Sequence, residues 1–71
     1  MLTLIRDLKT GLFYSPDGQW TWNRGNARDF WDISYAGKFA GERGLRGVEA
    51  VLISGNPEYD VRISLDRKTN R

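Results

Sequence analysis

Neither a cysteine nor a histidine occurs anywhere in these 71 residues. No disulfide and no cysteine–histidine metal site can staple the fold, so its stability has to come from buried apolar side chains. A chain this short buries only about 60 % of the surface its unfolded form exposes. Nine aromatic residues, three of them tryptophans, supply large burial per residue. One domain is expected over residues 1–66, with a frayed polar tail at 67–71. Dimerisation would be a further source of burial.

The same absence limits the chemistry. The commonest general base at neutral pH and the thiolate nucleophile are both missing. Ser15, Ser34, Ser54 and Ser64 would need a lysine as base. Lys9, Lys38 and Lys68 all sit in polar contexts that leave a lysine ordinary. Serines beside turns are better explained by local backbone hydrogen bonds. Asp29 and Asp32, one helical turn apart, read as capping or dipole-complementing residues. Asp60 and Asp66 do not have the spacing of a calcium loop. The expectation is a protein that is not an enzyme, with no catalytic residue, no cofactor and no metal site.

Eleven basic residues face nine acidic ones, giving a net charge of +2. The signs are interleaved, as in Arg6-Asp7, Arg28-Asp29 and Glu42-Arg43. That reads as a mixed solvated surface rather than a polybasic patch. The N-terminal stretch has no apolar run of signal-peptide length, and no segment approaches a membrane span. A soluble, cytoplasmic protein is expected.

Turn chemistry and periodicity place the elements. Residues 2–7 read as a strand, Lys9-Thr10-Gly11 as a turn, and Leu12-Phe13-Tyr14 as a second strand. Ser15-Pro16-Asp17-Gly18 is a strong turn, with proline pre-setting the second position. Gln19–Trp22 reads as a third strand, with Trp20 and Trp22 on one face. Asn26 is expected to cap a helical turn over residues 27–31. The main helix is expected at about residues 35–43, capped by Asp32 or Ser34 and ended by Gly44. Ala36, Phe39, Ala40 and Arg43 follow the helical spacing, so Phe39 anchors the buried stripe, while Lys38, Glu42 and Arg43 are candidate solvent groups. Gly37 and Gly41 weaken that helix, and a close backbone approach would explain them.

Gly47–Ile53 reads as a central strand, covered on one face by the helix and at least partly on the other. Tyr59, Val61, Ile63 and Leu65 alternate with polar residues in a final strand. The fold class is therefore α+β, a single small domain with an antiparallel sheet of about five strands and one helix packed on one face. The expected core is Phe13, Phe39, Val48, Leu52, Tyr59, Val61 and Ile63. The other sheet face is expected to stay partly open. Trp31, Tyr35, Val51 and Ile53 are the residues that could be exposed there.

The run Arg6-Asp7-Leu8-Lys9-Thr10-Gly11-Leu12-Phe13, then Trp20, Ala27-x-x-Phe30, Gly44-Leu45, Val48–Leu52 and Pro57-x-Tyr59-Asp60-Val61 resembles a group of short bacterial proteins of β-β-β-α-β-β order. The resemblance carries no activity, cofactor, partner or functional residue across.

Two binding readings remain. Exposed aromatics beside arginines make a protein-interaction or self-association surface, with Trp31, Arg24, Arg28, Trp20 and Trp22 as its candidates. The alternative is a nucleic-acid-binding module that stacks bases on those aromatics. A solvent-facing Trp20 or Trp22 ringed by Arg24, Arg28 and Arg62 would favour nucleic acid. A basic footprint is otherwise missing.

Overall fold

The computed structural model describes residues 2–55 and 60–65. Five strands, β1 (Leu2–Asp7), β2 (Phe13–Tyr14), β3 (Trp20–Thr21), β4 (Val48–Ile53) and β5 (Val61–Ser64), form one antiparallel sheet in the order β3-β2-β1-β4-β5. A single helix, α1 (Ile33–Arg43), packs on one face, so the architecture is the α+β fold expected. The first three strands form a meander. The Ser15–Gly18 turn closes with a Gly18 N–H donated to the Ser15 carbonyl. Gly11 turns the preceding corner at φ 79°, a backbone region that glycine enters without steric cost.

The 47–53 segment is an interior strand as expected: β4 lies between β1, the middle of the five, and β5. Six residue pairs join β1 to β4, from Leu2–Ile53 to Asp7–Val48. The helix carries the chain across the sheet between β3 and β4. It starts beside Thr3, whose carbonyl accepts from the Phe30 N–H, and ends near Leu8, whose N–H reaches the Gly47 carbonyl. Asp32 is its cap, accepting from the Tyr35 N–H, and Gly44 ends it in the left-handed conformation at φ 67°.

The helix stripe is the expected one: Ala36, Phe39 and Ala40 are buried, and Arg43 is exposed with its guanidinium 4.8 Å from the Phe39 ring centroid. They pack on Ile5, Tyr14, Val48 and Phe30, with Leu45 and Leu65 at the margin. Phe13, Phe39 and Val48 are core as expected. Val61 and Ile63 are not, being 49 % and 39 % exposed, and Leu52 is only partly buried. One helix about 10 Å wide spans roughly two strand spacings of ~4.8 Å. Seated over β1 and β4, it leaves Val61 and Ile63 uncovered and meets the β5 side at Leu65, just past that strand. Tyr59 and the polar tail lie outside the described residues.

One further expectation gives way. The helical turn lies at Arg24–Asn26, a 3-10 turn capped by Asn23, and Ala27 leaves it in extended backbone. Residues 28–30 run beside the first half of β1, where the two-residue β2 leaves room. The Arg28 N–H goes to the Tyr14 carbonyl and the Phe30 N–H to Thr3. This brings Phe30 to zero exposure in the core. The sheet face away from α1 is covered in part, with Leu2 still 43 % exposed. Leu4, Phe13 and Val51 are buried there, with Ala27 and Ile53 packed against them.

On that face Arg6 and Glu49, directly opposite across β1 and β4, form an ion pair of 3.0 Å. Arg6 Nε also donates to the Gly11 carbonyl. Glu49 is thereby buried with a partner, as a buried charge requires.

Candidate functional site

The five candidate residues do not converge. Trp20, on the β3 edge, turns to the helix side and meets the Tyr14 ring edge-on at 5.2 Å. Trp22 lies past the end of β3 in a bend and is 82 % exposed, so it does not share a buried face with Trp20. Arg24 turns to the opposite side of the sheet. Its guanidinium lies 5.9 Å from the Phe13 centroid and pairs with Asp60 at 2.6 Å.

Arg28 is held in an aromatic cage. Its guanidinium is 4.7 Å from the Phe30 centroid and 4.9 Å from that of Phe39, and it donates to the Tyr35 hydroxyl at 2.8 Å. Arg62 belongs to β5, at the other edge of the sheet from Trp20. Neither exposed tryptophan is ringed by the three arginines. Two of those cations are engaged with partners inside the fold.

Trp31 stands apart. It is 79 % exposed and has φ 72°, the one positive-φ residue besides glycine among those described. The left-handed region is strained for a bulky side chain, at roughly 1–3 kcal/mol. Four hydrogen bonds impose it. Asp29 Oδ1 accepts from the Trp31 N–H at 2.9 Å and from the Thr3 N–H at 3.0 Å. The Thr3 hydroxyl, itself buried, donates to the Trp31 carbonyl at 3.2 Å. The next N–H, that of Asp32, returns to the Phe30 carbonyl at 2.8 Å.

Phe30 is thus sunk in the core and Asp32 fixed as the helix cap, while the indole between them is turned outwards. The two N–H donors, Thr3 first, hold the Asp29 carboxyl below the ordinary aspartate value of 3.8. Tyr35 and its partner Arg28 lie on the same side of the sheet as the start of the helix, Tyr35 being within its first turn.

Asp29 and Thr3 are the residues that sequence reasoning missed. Asp29 was expected as a capping group; its acceptor oxygen instead serves β1 and the Trp31 loop. An aspartate two residues ahead of an N–H it can reach is a visible signal, since Asx turns form locally. Thr3, 28 positions from Trp31, gave none.

The serine nearest a carboxylate, Ser15, bonds to Asp17 and to the Gln19 backbone within its own turn. Among the described residues no group of three or more acidic side chains lies together as a metal site would need. No helix among them is long and apolar enough to cross a membrane.

No protein-family model, curated protein or solved structure matches the chain.

Proposed function

We propose that this chain is a non-catalytic protein-interaction domain, acting in the cytoplasm, with the Trp31 loop as its contact point. The observation that carries the reading is the outward tryptophan in a strained backbone fastened by four hydrogen bonds. A fold gains nothing in its own core from that arrangement, and strained residues over-determined by their surroundings cluster at ligand-contacting sites. Tryptophan is the residue type most enriched among interface hot spots. Tyr35 and Arg28, both of hot-spot type, extend the surface from the helix start. Arg28 is caged by Phe30 and Phe39 and bonded to Tyr35, and Arg24 lies on the opposite side of the sheet, which speaks against a phosphate-tracking platform, because affinity for nucleic acid rests on available, clustered cations.

A photo-crosslinking amino acid placed at position 31 in living cells tests this, with the same group at Arg62 as control. Position-31 adducts to a protein, or to a second copy of this chain, support the reading. Adducts to nucleic acid would replace it with the alternative. No adduct above the Arg62 control would remove it.

A further inference from the structure

We infer that residues 22–27 form a salt-sensitive strap, latched by Arg24 on Asp60, whose release uncovers the apolar sheet face built by Leu4, Phe13 and Val51. The inference rests on the side of the sheet opposite α1 and is independent of the Trp31 loop.

The strap leaves the sheet after β3 and rejoins it where the Arg28 N–H meets the Tyr14 carbonyl. Between these points it makes one 3-10 turn in which no residue is buried. Three of its hydrogen bonds are internal. Asn23 accepts from Gly25 and Asn26, and the Ala27 N–H closes on the Arg24 carbonyl. Among the described residues its ties to the sheet are few. The Asn23 N–H donates to the Thr21 hydroxyl at the hinge with β3, Ala27 packs against the Leu4–Phe13–Val51 cluster, and Arg24 crosses Phe13 to reach Asp60, just ahead of β5. The strap can therefore swing as a unit without breaking its internal bonds.

The latch is weakly held. The Arg24 side chain is 44 % exposed and Asp60 15 %. An ion pair with one solvated partner contributes little and is screened by salt. Asp60 uses one carboxylate oxygen for Arg24, while the other is buried with no hydrogen-bond partner among the described residues. An unmet buried acceptor penalises the closed state. Beneath the strap lies an apolar patch of that face: Leu4 has no exposure, Val51 4 % and Phe13 8 %.

The test is NMR relaxation dispersion on the full chain, read at the amides of residues 22–27 and the methyls of Leu4 and Val51. It is run on wild type at low and high salt, on Asp60→Asn, on Arg24→Gln and on the double variant. Binding of anilinonaphthalene sulfonate reports uncovered apolar surface in parallel. Asp60→Asn is expected to raise the open population about two- to fivefold, the weight of a part-exposed ion pair. Arg24→Gln, which also removes the cation over Phe13, is expected to raise it further. The double variant should match Arg24→Gln, and salt should move wild type towards Asp60→Asn. Exchange and dye binding unchanged in every variant would overturn the strap. So would exchange spread evenly over β1 and β4, which would make the pair a contributor to global stability only.

Discussion

At the scale of single residues, Trp31 and Asp29 form the most informative pair. The left-handed backbone at Trp31 is costly for any residue with a Cβ, by about 1–2 kcal/mol. Glycine there would relieve the strain, and its greater unfolded-state freedom would take back about 0.5–1 kcal/mol. Trp31→Gly is therefore expected to leave thermal stability unchanged or raise it by up to about 1 kcal/mol, while abolishing the position-31 interaction. A calorimetric melt together with the binding assay checks both halves. A large fall in melting temperature would mean that the indole is part of the core.

Asp29 carries a pH dependence whose sign is fixed. Its pKa is lowered by the Thr3 and Trp31 N–H donors. Its contribution is fully present above the ordinary aspartate value of 3.8 and is lost as pH falls through the lower folded value. Acidification below 3.8 should shift the Trp31 indole resonance in an NMR titration, and Asp29→Asn should flatten that response.

At the scale of elements, the glycines of the helix separate into two kinds. Gly44 sits at φ 67° as the C-cap, donating its N–H to the Ala40 and Gly41 carbonyls. Gly41 lies within the helix, and a Cβ added there would meet nothing within 4 Å. At Gly37 the nearest atom to such a Cβ is a Leu65 methyl at 3.9 Å, an ordinary contact. The close backbone approach considered for Gly37 and Gly41 does not occur within the described fold. Gly41→Ala should thus stabilise by about 0.5–1 kcal/mol, and Gly44→Ala should destabilise by about 1 kcal/mol. Urea unfolding of the two variants should move the midpoint in opposite directions. A destabilising Gly41→Ala would show that this helix face packs against something in solution.

At the scale of the whole molecule, one helix on a five-stranded sheet divides the apolar residues unevenly. Phe30, brought in from a connection rather than from a regular element, has no exposure and touches Tyr14, Tyr35 and Phe39. Ile63, on a well-patterned strand, is 39 % exposed. Phe30→Ala should cost about 3–5 kcal/mol, as a fully buried aromatic does. Ile63→Ala should cost about 1 kcal/mol or less, because much of its surface already meets water. The reverse ranking in denaturant titrations would require a cover on the β5 edge in solution.

The sequence by itself determined whatever depends on a few neighbouring residues. The meander follows from glycine at Gly11 and Gly18, the helix from the Asp32 cap, the Ala36–Phe39–Ala40 stripe and Gly44, and β5 from its strict alternation. It also made Trp31 a residue of interest. Tertiary structure alone decided which patterned faces are covered, because alternation says that a strand has an apolar face and not what lies against it. Val61 and Ile63 alternate well, yet the single helix is too narrow to reach them. Phe30 has no periodic signal, yet the short β2 opens the place it fills. The left-handed Trp31 depends on Thr3, and the strap on Asp60, contacts 28 and 36 positions apart in the chain. Such pairings are set by the path of the connection between β3 and the helix, which no local propensity records.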